Sequence, residues 1–301
     1  MSVFLFPQYD SMKKFVTIKN MYSVMGLIRQ LSEFWRKTIP NIIEILPSDI
    51  QIGAATFHPQ CFFSTLNPRE FAYYYANPCR RNADGRYGQS PNRLLIHHQF
   101  QVIISPAPVN IIELYKKSLE YIGISQENNF LKFIENDWKS PSIGAQGVGW
   151  EVWANGMEIT QFTYFDKMAG YNLPHKPVEL AYGLERLLVT LGRKEIWNLN
   201  WDQNHSYSWR KIYEEQLSHY YLQYKTSASL EDLYLLIEDL IGNNLYIPAY
   251  ENFLKANYLF NWLDANGSLE KLSIIEHMTK LRHLCIKIAE SYHRNNGIEN
   301  K

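Results

Sequence analysis

From residue 20 to 38, Val24, Leu27, Ile28, Leu31, Phe34 and Trp35 recur at i, i+3, i+4 and i+7, which predicts an amphipathic helix. Pro40 stops it. The apolar run Phe100 to Ile104 predicts a buried strand. Asn110 then stands where a cap belongs, ahead of Ile111, Leu114, Tyr115 and Ile122, with Gly123 at the helix end. Phe130 to Ile134 predicts another strand. From about Trp201 the pattern turns to helical periods, giving helices at Tyr207–Tyr224, Leu230–Ile241, Ala249–Leu263 and Ser273–His293. A domain boundary is expected near Asn198. It divides the chain into an N-terminal extension (1–19), a mixed domain (20–198) and an all-helical domain (199–301).

The strongest local signal is Asn155-Gly156 between two runs of aromatic and β-branched residues, which predicts a hairpin closed by a type I′ turn. A regular ladder pairs Ala154 with Met157, Trp153 with Glu158 and Glu151 with Thr160. Glu151, Trp153, Glu158, Thr160 and Phe162 would then share one face of the sheet, and Trp150, Val152, Ile159, Gln161 and Thr163 the other.

At 301 residues and 46% hydrophobic content the chain can bury a large core. Its 30 basic and 30 acidic side chains cancel, which argues against a major nucleic-acid-binding surface. Cys61, Cys79 and Cys285 show no paired spacing, so neither a disulfide frame nor a zinc site is expected, and a reducing cytoplasm fits. No apolar run reaches the length of a membrane span, and the N-terminal apolar patch is too short for a signal peptide.

Against that neutral background stands Arg80-Arg81-Asn82-Ala83-Asp84-Gly85-Arg86-Tyr87-Gly88-Gln89-Ser90-Pro91-Asn92-Arg93. Arginine forks bind phosphate oxygens bidentately, and the glycines let backbone pass around a bulky anion. Further along, Tyr182-Gly183-Leu184-Glu185-Arg186-Leu187 puts another arginine on a helix. Between them lie Gly147-Val148-Gly149-Trp150-Glu151-Val152-Trp153 and Gly156-Met157-Glu158-Ile159-Thr160-Gln161-Phe162-Thr163-Tyr164-Phe165. Before them comes Gly53-Ala54-Ala55-Thr56-Phe57-His58-Pro59, and after them Pro248-Ala249-Tyr250-Glu251.

In this order and spacing the motifs resemble motifs 2 and 3, and nearly the whole length, of the catalytic α subunit of the bacterial tetrameric glycyl-tRNA synthetases, which are class II enzymes. The resemblance implies an α+β fold: a class II antiparallel sheet flanked by helices, followed by a C-terminal all-helical domain. It implies ATP and glycine as substrates and Mg²⁺ on the phosphates. It also implies an α₂ dimer within an α₂β₂ assembly whose β subunit carries most contacts to tRNA(Gly), in keeping with the neutral charge.

Forming an aminoacyl adenylate chiefly requires positioning and neutralisation of charge on phosphate oxygens. By the resemblance, Arg80 or Arg81 meets the α-phosphate, Phe100 stacks on adenine and Arg186 reaches the far phosphates, with Arg86 and Arg93 as secondary phosphate ligands. Arg81, Arg186 and Glu158 form the catalytic set, and Glu151 and Glu158 the metal-bridging pair. Glycine is assigned to Trp150, Glu158, Thr160 and Gln161, with Phe162 and Tyr164 as further walls. A closed pocket rejects a larger side chain by clash, so editing is unnecessary. His97 and His98 are read as structural, while His58 is open between stabilising a turn and serving the site.

Several polar positions depart from the family pattern. Gln51 stands for a glutamate, Ala55 for a glycine, Leu46 and Asn77 for glutamines, Asn82 for a proline, Gln89-Ser90 for Glu-Asn, Lys139 for a glutamate and Gln146 for a tryptophan. The central arginines and Glu158 are kept. A second reading therefore stands beside the enzyme: a synthetase-like module that keeps the fold as a binding or regulatory partner.

Overall fold

A computed structural model describes residues 22–192, 194–223 and 229–298. The N-terminal extension expected at 1–19 lies outside them. The predicted first helix is α1 (Val24–Thr38). Its Ser23 hydroxyl accepts from the Gly26 N–H at 3.0 Å, and Ile39 leaves helical geometry just before Pro40. After β1 (Ile43–Glu44), a short helix α2 (Pro59–Leu66) starts at His58. Here His58 Nδ1 accepts from the Gln60 N–H at 3.1 Å and Nε2 donates to the Leu46 carbonyl at 3.0 Å, which gives this histidine the turn-stabilising role.

The strands β2 (Phe71–Arg80) and β3 (Ile96–Ser105) flank the arginine loop and pair antiparallel over their full lengths. There follow α3 (Ile111–Tyr121), β4 (Leu131–Ser140), β5 (Ala145–Ala154), β6 (Met157–Met168), β7 (Tyr171–Asn172), β8 (Val178–Gly183) and α4 (Leu184–Gly192). One sheet runs in the order β1-β2-β3-β8-β6-β5-β4, with β7 on the end of β6. It is antiparallel apart from the β1–β2 pair. The rest of the described chain is helical: a turn at Tyr207–Arg210 leads into α5 (Lys211–Gln223), then α6 (Leu230–Gly242), α7 (Tyr246–Ala265) and α8 (Lys271–Asn296). None of these helices is long and apolar enough to cross a membrane. The three cysteines are buried and free.

The sheet separates two cores. One face packs under α1, α3 and α4, with Phe100, Val102, Phe162, Leu180 and Tyr182 at its centre. On the other face, Tyr75, Ile103 and Phe165 share a core with residues of α2, α7 and α8. The C-terminal helices thus have no core separate from the sheet. The change of pattern near Asn198 coincides with the change from mixed to helical secondary structure.

The hairpin departs from a regular ladder at two points, between Gln146 and Gly147 and, nearer the turn, between Val152 and Trp153. Ala154 pairs with Met157 and Trp153 with Glu158, but Val152 then pairs with Thr160 and Glu151 with Gln161, so Ile159 is an inserted residue. The bulge at Ile159 reverses the facing of the β6 residues beyond it, as far as the second shift at Asp166. Gln161 and Thr163 join Glu151, Trp153 and Glu158 on one face. Thr160 and Phe162 turn with Trp150 and Val152 into the core under α3. The expected grouping of Thr160 and Phe162 with Glu158 is overturned by this single insertion.

Candidate active site

The uncovered part of the second sheet face forms the floor of a cleft of about 250 Å³. Gln99, Gln161, Glu179, Ala181 and Gly183 contribute to the floor, Thr56 and Trp138 to the walls, and Arg81, Arg93 and Arg186 to the rim. Residues from three widely separated stretches meet here because β3, β8 and β6 are consecutive neighbours in the sheet. Three guanidinium groups around a polar floor make a receptor for a polyanion.

Each arginine is positioned differently. Arg81 follows β2, its backbone N–H donating to the Leu95 carbonyl at 2.8 Å and its Nε to the Gly53 carbonyl at 3.0 Å. Arg186, in the first turn of α4, reaches back across the sheet, and its Nη1 donates to Glu158 Oε2 at 2.8 Å and to the Glu158 carbonyl at 3.1 Å. Arg93 lies 3.4 Å from Asp84 within the loop. The loop is anchored from behind by α5, where the buried Glu214 carboxylate accepts from the N–H groups of Leu95 at 2.6 Å and Ile96 at 3.0 Å. Nothing in the helical periodicity of α5 marked Glu214 as an anchor, because its partners are backbone groups far away in sequence.

Arg80 and Arg86 do not line this cleft. Arg80 Nη1 donates to the Tyr221 hydroxyl at 2.8 Å and borders a neighbouring cavity of about 410 Å³, which also contains Gln51, Asn82, Lys139, Asn257 and Tyr258. Arg81, Ala54 and Trp138 line both spaces. Arg86 is exposed in a left-handed turn (φ 44°). Gln89 is exposed and borders neither space.

Phe100 lies elsewhere. It is 0% exposed on the opposite face of the sheet, stacked on Tyr74 at 5.9 Å and edge-on to Tyr182 at 6.1 Å. Strand alternation gives the cleft its neighbour Gln99 instead, so Phe100 is not placed to stack on a ligand in this cleft. Trp150 likewise packs edge-on against Phe162 in the core at 5.4 Å, which corrects its assignment to the glycine pocket. Thr160 borders the cleft beside Gln161 and Glu158, but it is only 1% exposed and its hydroxyl is turned toward the core-side Tyr115.

The metal-bridging pair is not assembled. Glu151 accepts from Asn136 Nδ2 at 2.6 Å and Trp153 Nε1 at 3.0 Å and is not part of the cleft lining, while Glu158 is engaged by Arg186. Among the described residues no cluster of His, Cys, Asp and Glu could hold a metal ion.

Two buried acids below the arginines behave oppositely. Burial pushes Glu185 up, but hydrogen bonds from His98 Nδ1 at 2.8 Å and the Tyr207 hydroxyl at 2.6 Å outweigh it and hold the carboxyl at about 2. Burial raises Glu179 to about 8, against a single well-formed hydrogen bond from the Thr56 hydroxyl at 2.8 Å. His97, on the cleft wall, is pushed down to about 3 by desolvation and by Arg81, so it is neutral. The reading of His98 as structural agrees with its bond to Glu185. Glu179 escaped the sequence reading because it sits in the apolar run Val178–Tyr182, where only its own charge hinted at a role.

The model of the family described as "Glycyl-tRNA synthetase alpha subunit" matches residues 24–297. A glycine–tRNA ligase alpha subunit from Coprothermobacter proteolyticus is 43% identical over 272 residues, covering 88% of this chain and 93% of that protein. One from Petrotoga mobilis is 38% identical over 277 residues, covering 89% and 95%. Among solved structures, a pyrrolysyl-tRNA synthetase from Desulfitobacterium hafniense aligns with 66% of this chain and 77% of its own, at TM-score 0.43 and 14% identity.

Proposed function

The chain belongs to the glycyl-tRNA synthetase alpha subunit family, and on that premise we propose that its cleft activates glycine with ATP and, with a β subunit, transfers it to tRNA(Gly). In the first step a glycine carboxylate oxygen bonds to the α-phosphorus of ATP, and the bond to the β-phosphate oxygen breaks, releasing pyrophosphate. In the second, a hydroxyl of the tRNA 3′-terminal ribose displaces AMP from the glycyl carbonyl.

The observation that carries this reading is the convergence of Arg81, Arg93 and Arg186 on one cleft whose floor is polar rather than apolar. We assign Arg81 to the α-phosphate and Arg186 to the far phosphates, where a fixed guanidinium stabilises charge as it moves onto oxygen. Glu158 acts here as the positioning partner of Arg186. Mg²⁺ would arrive on the phosphates of ATP and add to the charge neutralisation there. Gln161 and the small Ala181 leave room over the sheet for an amino acid without a side chain, and added methyl groups would clash with the closed floor.

The test is glycine-dependent ATP–pyrophosphate exchange by Arg81→Ala and Arg186→Ala. Loss of one such donor costs roughly 3–4 kcal/mol, a fall of about 10² to 10³ in rate. Near-normal exchange by either folded variant would refute the assignment of that arginine.

A further inference from the structure

Four carboxylates line the cleft: Asp84, Glu158, Glu179 and Glu185. Three are committed to partners. Asp84 faces Arg93 at 3.4 Å, Glu158 holds Arg186 at 2.8 Å, and Glu185 is bonded by His98 and Tyr207. Glu179 differs in kind. Among the described residues it has no cationic partner, and it is only 2% exposed in the middle of β8, flanked across the ladder by Ile103 and Thr163.

Burying a carboxyl group costs free energy unless something compensates it. Thr56 compensates one oxygen. The other lies against the Gln101 carboxamide without a well-formed hydrogen bond, and the amide of Gln101 is itself buried with neither polar atom satisfied. An under-satisfied acid and an under-satisfied amide thus sit side by side under a cleft ringed by arginines. The arginines suit the phosphates and carboxylate of the two substrates. The arginines repel the one cation that an amino acid brings, and Asp84, Glu158 and Glu185 already hold partners, which leaves Glu179 as the cleft acid with an unfilled oxygen.

We propose that Glu179 is the anchor for the α-ammonium group of the amino-acid substrate. This rests on the reading of the cleft as a glycine-activating site. With the ammonium seated, Glu179 ionises, and an ion pair replaces the half-satisfied carboxyl. The charged and titratable groups around it support this. Cys61 from α2 and Tyr75 from β2 are its titratable neighbours, both kept protonated by burial, and Thr56 and Gln101 are neutral. The acid carries its proton at neutral pH without substrate, so glycine binding below pH 8 releases a proton and weakens as pH falls.

The experiment measures ATP–pyrophosphate exchange with the full chain and its β subunit, varying glycine and ATP separately, for the parent, Glu179→Gln and Thr56→Val. Glu179→Gln has the shape of the protonated acid, so the fold is kept while the anion is lost. The expected result is a rise of tenfold or more in KM for glycine, with KM for ATP unchanged. In the parent, KM for glycine should fall roughly tenfold between pH 6.5 and 8, and in Glu179→Gln it should be flat. Thr56→Val, which removes the hydroxyl donor, should shift the parent's pH profile upward. If Glu179→Gln does not fold, the parent's pH profile and Thr56→Val still decide. A glycine KM in Glu179→Gln equal to the parent's, or a loss that falls equally on ATP and glycine, would overturn the assignment. A parent without glycine-dependent exchange would instead refute the proposed function, whatever Glu179 does.

Discussion

At the scale of single residues, the site is a set of ionisable groups whose surroundings drive them apart, and this gives the protein a definite pH response. Glu185 is held at about 2 against an ordinary 4.5, so its stabilisation is present above 4.5 and lost as pH falls toward 2. His97 stays neutral down to about 3 against an ordinary 6.5, so the unfolded chain takes up that proton first and stability falls as pH drops below 6.5. Glu179 acts in the other direction. Its folded value of about 8 lies above 4.5, so stability is lost as pH rises between those values. The unfolding midpoint of the parent should therefore decline toward both ends of the range from pH 3 to 8.5. Glu179→Gln should flatten the alkaline limb and leave the acid limb in place. An unchanged alkaline limb in that variant would contradict the assignment of Glu179 as a buried, protonated acid. The sequence identified the arginines because charge clustered on a glycine-rich loop is visible without a fold. It could not show that Phe100 is sealed in the core or that Glu185 is clamped by Tyr207, since both facts depend on which face of a strand looks at the cleft.

At the scale of elements, the bulge at Ile159 decides what the cleft contains. The Asn155-Gly156 turn correctly fixes the first two pairs of the hairpin, and its information ends there. An inserted residue leaves no mark in an alternation that reads acceptably in either register, and here it turns Phe162 into the core and Gln161 toward the cleft. Helix placement was more legible. The four expected C-terminal helices lie within a few residues of α5 to α8, apart from Tyr224, which is outside the described residues. Long amphipathic periods repeat the same message over many turns. The central hairpin also depends on close backbone approach. A Cβ at Gly149 would press into the backbone carbonyl of Phe162, which has no flexible end to move. Gly149→Ala should destabilise the protein by about 1–3 kcal/mol, whereas Gly242→Ala, where an added Cβ meets nothing within 4 Å, should change stability by less than about 0.5 kcal/mol. Denaturant unfolding of the two variants checks this, and equal midpoints would contradict the packing of β5 on β6.

At the scale of the whole molecule, charge and packing divide the labour of the proposed reaction. With 30 basic and 30 acidic side chains the chain has little basis for counterion release on a nucleic acid. It should bind tRNA weakly and with little salt dependence when isolated, and charge tRNA(Gly) only when the β subunit is present. Tight, salt-sensitive binding by the isolated chain in a filter or fluorescence assay would contradict that division. The proposed activation step draws on a cleft built within one chain: its arginines come from the β2–β3 loop and α4, and its floor from β3, β8 and β6. The most direct test is therefore pyrophosphate exchange into ATP by this chain, with each standard amino acid supplied in turn. The account predicts exchange stimulated by glycine and by no larger amino acid. Exchange absent with glycine, or driven better by an amino acid that carries a side chain, would contradict it.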